Sequence, residues 1–194
     1  MITIIIIIIT VFISWKSFDD SEITLKYCFS PYRVRYFNEH YRFISHAFIH
    51  ASWEHLLFNM FSLFFIGFSL EHELKILFNQ YFYVIYLSLY LTSIPISTLY
   101  SFYRNNKNTY YSSVGASGAV SSIVFGLILL NPTTKFYLFA LPIGIPAYIF
   151  GLVYLASAFY LSKKNNDNIA HDAHISGAIW GIIFLLIIEP GLLE

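Results

Sequence analysis

The stretch GASGAVSSIVFGLILL, residues 115–130, carries no charge and stops at Asn131-Pro132, where proline disfavours helix in the residue before it. It reads as an apolar helix of about 16 residues, short for a hydrocarbon layer of about 30 Å at 1.5 Å rise per residue. The runs on either side read the same way. Upstream lie 81–103, closed by the solvated Arg104-Asn105-Asn106-Lys107-Asn108; 52–70, closed by Glu71, His72, Glu73 and Lys75; and 1–18. Downstream lie 136–161, with Pro142 and Pro146 in its first turns where a kink is expected, and 173–189, ended at Glu189-Pro190. The expected fold is all-α: a polytopic membrane protein, one domain over 1–194, built as a bundle of six transmembrane helices.

Composition agrees with that reading. The chain is 57% hydrophobic and 11% charged, against about 25% charged in an ordinary soluble domain. Its 194 residues supply about six crossings of roughly 20 residues each, leaving little for a separate soluble domain. Many of the 16 Tyr fall near the ends of apolar runs, where amphipathic rings favour the interface. A formal net charge of zero gives no reason to expect nucleic acid as a partner. Cys28 is the single cysteine, so an internal disulfide is not expected. Residues 1–15 lack the basic leading segment and Ala-x-Ala-like site of a signal peptide and read as part of the first span, at about 22 Å a short one.

Two polar stretches interrupt the spans. Residues 16–51 form a long loop rich in charge and aromatics, and 163–172 a second one; loops of the first length are usually functional. Nine of the 11 Lys and Arg fall in the loops after spans one, three and five, with Lys75 and Lys135 on the other side. By the positive-inside rule the first loop would be cytoplasmic.

Three groups of side chains point to chemistry, because polar residues at membrane depth are costly and are functional candidates when they converge. Ser117, between Gly115-Ala116 and Gly118, stands at a helix start, where unpaired N–H groups and the positive end of the dipole would stabilise an oxyanion. Small residues in such helices otherwise mean close packing. His174, in Ala173-His174-Ile175-Ser176-Gly177, heads the last span. Gly177 and Gly181 follow it at i+3 and i+7, a small-residue face matched by Gly118, Ser122 and Gly126. Should the two faces meet, the imidazole reaches the Ser117 hydroxyl. His55 and Asn59, at i and i+4, share a helical face and suit either an oxyanion hole or a polar clamp between helices. His46 and His50 are also four apart, but no third ligand accompanies them and no His-Glu-x-x-His occurs, so no metal or other cofactor is expected.

Together these elements resemble the rhomboid family of intramembrane serine proteases. Gly115-Ala116-Ser117-Gly118 is similar to the family's Gly-x-Ser-Gly motif, Ala173-His174-Ile175-Ser176-Gly177 to its Ala-His-x-x-Gly motif, and His55-Leu56-Leu57-Phe58-Asn59 to its His-x-x-x-Asn motif. Tyr41-Arg42 resembles a Trp-Arg element of the first loop, and Gly67 with Glu71 a Gly-x-x-x-Glu ending of the second span. Two departures stand out. Tyr41 replaces tryptophan, and Ser121 occupies a position where family members often carry an aromatic ring packed on the histidine, a place that Phe125 or another ring would have to fill.

The resemblance implies a serine endopeptidase that hydrolyses peptide bonds in or near transmembrane segments of membrane-protein substrates. Ser117 would be the nucleophile and His174 its base, with His55, Asn59 and Ser117 at the oxyanion hole. Gly115, Gly118, Gly177, Gly181, Arg42 and Glu71 would be structural. It implies membrane lipid as surroundings, a multi-pass location in a bacterial cytoplasmic (inner) membrane, and a wet cavity gated by the fifth helix. Two alternatives make different claims: a catalytically inactive relative that binds membrane clients, and a metal carrier using His46, His50, His55 and His174.

Overall fold

A computed structural model describes residues 2–137, 143–164 and 170–193. In chain order the helices are α1 (Ile2–Asp19), α2 (Ser21–Tyr27), α3 (Pro31–Phe37), α4 (Arg42–Ser45), α5 (Trp53–Phe78), α6 (Phe82–Asn105), α7 (Ser117–Leu130), α8 (Ala147–Lys164) and α9 (His171–Ile188). Between α7 and α8, β1 (Lys135–Tyr137) pairs antiparallel with β2 (Gly144–Pro146), Phe136 opposite Ile145.

Three helical stretches are long and apolar enough to cross a bilayer among the described residues: Ile2–Asp19, His171–Ile188, and the 53-residue Trp53–Asn105. The last contains α5 and α6, joined through the 3-10 turn Asn79–Tyr81, in which Asn79 takes the positive φ of 47°. Ser117–Leu130 is a shorter apolar helix.

Helix α1 is polarised in the sense expected of a helix facing lipid. Its isoleucines at 5, 8 and 9 lie outward, whereas its buried residues are Thr3, Ile6, Thr10, Ser14 and Ser17. Lipid is as apolar as leucine, so burying apolar surface does not drive helices together; close backbone approach and interhelical hydrogen bonds do. Thr3 supplies such bonds. Its N–H and Oγ1 donate to Glu71 Oε1 at 2.5 and 2.7 Å, and Oγ1 lies 2.8 Å from the Tyr86 hydroxyl.

Those contacts correct the expected end of the second span. Glu71 does not close the helix at 70. It is buried inside α5, which continues to Phe78, because Thr3 solvates the carboxylate from within the bundle. Gly67 stands one turn earlier; a Cβ there would sit 2.7 Å from the Tyr86 oxygen.

The first loop is not irregular chain but a run of short helices. Asp20 caps α2 by accepting from Glu22 N–H at 2.8 Å, and Ser30 with Pro31 at the first helical position starts α3. Arg42, 2% exposed, holds the loop together: Nη1 donates to the carbonyls of Leu25 at 3.0 Å and Cys28 at 2.7 Å, and Nε donates to Glu39 at 2.5 Å. Phe29 and Ser113 exchange backbone hydrogen bonds of 2.9 and 3.0 Å, fastening this loop to the segment before α7.

The fifth expected span is corrected as well. Its helix begins at Ala147 and not at 136; Phe136 lies in β1 and Pro146 in β2, so the missing proline N–H falls at the strand end instead of kinking a helix. Pro142 lies outside the described residues.

Helix α7 is the centre of the molecule, packed by α5, α6, α8 and α9, with every residue from 118 to 127 buried. A helix apolar on all sides belongs in such an interior. Its closest neighbour is α9. A Cβ on Gly177 would clash with the Gly118 carbonyl oxygen and one on Gly181 with that of Ser122, while Ser122 Oγ donates to the Gly177 carbonyl at 2.6 Å. The two small-residue faces therefore do meet, backbone on backbone. On its other side Gly118 presses against Ser97 of α6.

Candidate active site

Ser117 is the first residue of α7, and the turn that delivers it is fixed by residues of the first loop. Gly115 has φ +114°, a conformation that L side chains rarely adopt, and a Cβ there would meet His55 Cε1 at 2.6 Å. The Gly115 N–H donates to the His46 carbonyl at 2.9 Å, and the Ala116 N–H to His50 Nε2 at 3.4 Å. Accepting at Nε2 requires the His50 proton on Nδ1, 2.9 Å from Ser14 Oγ, which in turn donates to the Phe48 carbonyl at 2.9 Å. His46 likewise holds its proton on Nδ1, the carbonyl of Arg42 lying 2.9 Å away as acceptor. The two histidines that sequence spacing left as a weak metal pair thus use their donors and acceptors to set the backbone before Ser117.

Both are held neutral. Burial pushes the His46 pKa down to about 4, and burial, with the nearby His55 and His46 rings adding repulsion, pushes that of His50 down to about 3. In the unfolded chain they titrate near 6.5, so between that pH and the folded values the unfolded state binds more protons and acid favours it. Melting temperature in detergent is therefore expected to fall as pH drops from 7 towards 4, each histidine contributing up to about 1.4 kcal/mol per pH unit. His50→Gln should flatten that slope; an unchanged slope in the variant would contradict the buried neutral ring.

His174 lies in the first turn of α9, its Nε2 2.7 Å from Ser117 Oγ. That is hydrogen-bond distance between a hydroxyl and an imidazole contributed by different helices. Asp172 is turned elsewhere: Oδ2 accepts from Ser101 Oγ of α6 at 2.5 Å and Oδ1 from the Ala173 N–H at 3.0 Å. The His171 ring stands edge-on to His174, centroids 5.9 Å apart.

Sequence reading left open which ring faces His174. It is Tyr154 of α8, nearly parallel to the imidazole at 21° with centroids 6.2 Å apart. Phe125 packs on Tyr154, centroids 5.7 Å apart. Nothing in the local pattern of α8 marks Tyr154 among its aromatic residues; only the complementary smallness of Ser121, whose Oγ lies 2.7 Å from the Tyr154 hydroxyl, hints at a ring arriving from elsewhere.

Ser117, His174, His55 and Asn59 all line one cavity of about 1250 Å³, which also reaches Tyr154 and Ser121. The His55 ring lies beneath Gly115 and edge-on to His50, centroids 4.9 Å apart. Asn59 is buried, and one amide hydrogen is donated to the His55 carbonyl at 2.9 Å. Ala116, at the N-cap of α7, has no side chain with which to cap the first turn, and Ser117, the first residue of that turn, lines the cavity.

Comparison with known families agrees with a polytopic membrane fold. The Rhomboid domain family matches residues 38–190, and the chain belongs to that family. Among curated proteins it is 28% identical over 180 residues to a RHOMBOID-like protein 12, mitochondrial, of Arabidopsis thaliana, covering 87% of this chain. The chain spans about half that relative's length, 52%.

Proposed function

We propose that this protein is an intramembrane serine endopeptidase, hydrolysing peptide bonds in or near the transmembrane segments of other membrane proteins. The observation that carries the proposal is the 2.7 Å contact between His174 Nε2 and Ser117 Oγ on the wall of a cavity of about 1250 Å³. In this reading α1, α5, α6, α7, α8 and α9 are six crossings. A serine hydroxyl is a weak nucleophile until a base takes its proton. His174 Nε2, accepting from Oγ, removes that proton as Oγ attacks the scissile carbonyl. The imidazolium then returns it to the leaving amine, and the acyl-Ser117 ester is hydrolysed by water entering through the cavity.

The tetrahedral oxyanion would be met by first-turn N–H groups of α7, supplemented by the His55 and Asn59 side chains. Asn59 keeps its second amide hydrogen for this purpose, the first being used on the His55 carbonyl. Asn59→Ala is expected to lower kcat by about 10² to 10³, the usual cost of one oxyanion donor, with the melting temperature little changed.

The proposal is tested by incubating detergent-solubilised protein with a substrate whose transmembrane helix contains small and helix-breaking residues. Mass spectrometry should find two product peptides meeting at one bond within or beside that helix. No cleavage, from protein that labels at Ser117 with a fluorophosphonate, would defeat this substrate class. Absence of both would defeat the peptidase itself.

A further inference from the structure

We propose that a cavity at the end of the bundle opposite Ser117 binds the primary ammonium headgroup of a membrane phospholipid, with Glu73 as the anion that meets it. The proposal is independent of the peptidase reading, whose chemistry leaves this region unused. Helix α7 has 14 residues, so its C-terminus lies about 20 Å from the serine at roughly 1.5 Å per residue. There a second cavity, of about 330 Å³, has on its wall Phe68, Ser69, His72 and Glu73 of α5, Asn131 just past the end of α7, and Thr134 ahead of β1.

The polar groups of this cavity are rich in acceptors. Ser69 Oγ donates its proton to the Phe65 carbonyl at 2.9 Å, and Asn131 Nδ2 donates to Glu73 Oε1 at 3.3 Å. The Ser69 oxygen, the Asn131 amide oxygen and the second oxygen of the carboxylate are left to receive. Glu73 is half-buried, and no cation pairs with it among the described residues, where the ion pairs are Arg33–Glu39 and Arg42–Glu39. Asn131 is the C-cap of α7, so the negative end of that helix dipole adjoins the same place. A half-buried carboxylate beside a helix C-terminus is costly until a positive charge meets it. A primary ammonium brings that charge together with N–H donors for the acceptors, whereas a quaternary one brings the charge alone.

The adjoining surface of α5 points to lipid as the carrier. Phe65, Ser69 and Glu73 succeed one another at intervals of four, as do Phe64, Phe68 and His72, so two neighbouring rows of the helix run from aromatic to polar and end at the cavity. Phe64 and Phe65 are exposed, with centroids 5.1 Å apart, and Phe68 lies 5.0 Å from Phe64. An acyl chain lying on those rings delivers its headgroup to Glu73, and a ring N–H of His72 meets the phosphate that follows the ammonium. The bound headgroup then touches α5, the end of α7 and the approach to the hairpin at once.

The test uses the full chain in detergent micelles, titrated with phosphatidylethanolamine and, separately, with phosphatidylcholine of the same acyl chains. Bound lipid is counted by native mass spectrometry. Wild-type protein is expected to bind the ethanolamine lipid at least about fivefold tighter than the choline lipid, and Glu73→Gln to bring the two within about twofold by weakening the first alone. Melting temperature should follow, rising more with the ethanolamine lipid in the wild type and equally with both in Glu73→Gln. Equal affinities in the wild type, or a preference that survives Glu73→Gln, overturn the proposal. The carrier is tested with soluble phosphoethanolamine and with calcium chloride, neither of which should match the lipid. A Glu73-dependent response to either that equals the response to the lipid would make this a site for a free amine or a metal ion, and overturns the assignment to lipid. Should Glu73→Gln fail to fold, the comparison of the two lipids on wild-type protein decides by itself.

Discussion

His174→Ala and Ser117→Ala are each expected to lower the rate of peptide-bond cleavage by at least about three orders of magnitude, with expression and melting temperature preserved. The reason is the 2.7 Å contact between the two side chains. A hydroxyl with no base at that distance keeps its proton, and an imidazole with no hydroxyl has nothing to activate. Because the pair acts as a unit, the double variant should be no slower than either single one. Additive losses would mean that the two groups work separately, and near-normal cleavage in either single variant would remove the dyad from the mechanism. Neither side chain takes part in the Gly118–Gly177 backbone contact that joins α7 to α9, which is why folding should survive.

Gly177→Val is expected to lower activity by about 10² by the opposite route, keeping both reacting groups but moving them apart. The first added carbon would lie 2.8 Å from the Gly118 carbonyl carbon and 3.2 Å from its Cα, and closer still to the carbonyl oxygen. These are backbone atoms of a buried helix and cannot turn aside as a side chain does. Ordinary carbon contacts need about 3.5 to 4.0 Å, so α7 and α9 must separate by roughly 1 Å. Overpacking of this kind costs about 1–3 kcal/mol, and a displacement of that size at a reacting pair costs about 10² in rate. Gly126→Ala is the matched comparison on the same interface. Its Cβ would meet only side-chain atoms, the nearest being Leu185 Cδ1 at 3.2 Å, which can yield. Melting temperature in detergent and the fluorophosphonate labelling rate should both fall in the first variant and hardly change in the second. Equal behaviour would show that backbone contact at Gly177 is not what sets the pair.

What could be read from the sequence follows the range of the interactions concerned. Ser117 and His174 were legible because each sits at a helix start beside glycines at helical spacing, so a local pattern carried information about a distant contact. Helix α7 was legible to within two residues, since its apolar run ends at Asn131-Pro132. Glu71 misled because a carboxylate in an apolar run reads as a terminus until its partner, Thr3, is known to stand 68 residues away in sequence. The ring on His174 was hidden for the same reason: Tyr154 is 33 residues from the serine that anchors it and lies on a helix with several other aromatic side chains. The spacing of His46 and His50 offers only a weak ligand pattern and no other role, and their tie to the turn before Ser117 depends on a loop folding back against α1, which no period in the chain encodes.

The bond between Thr3 and Glu71 also bears on how such a chain is made. Synthesis runs from the amino end, so α1 is made before α5 exists, and Thr3, in the first turn of α1, has no carbonyl three or four residues earlier in that helix on which to satisfy its hydroxyl. The carboxylate is the costlier group to take out of water, and it arrives second, when its donors are already made. In the reverse order of helices the acid would have been translated before the groups that solvate it.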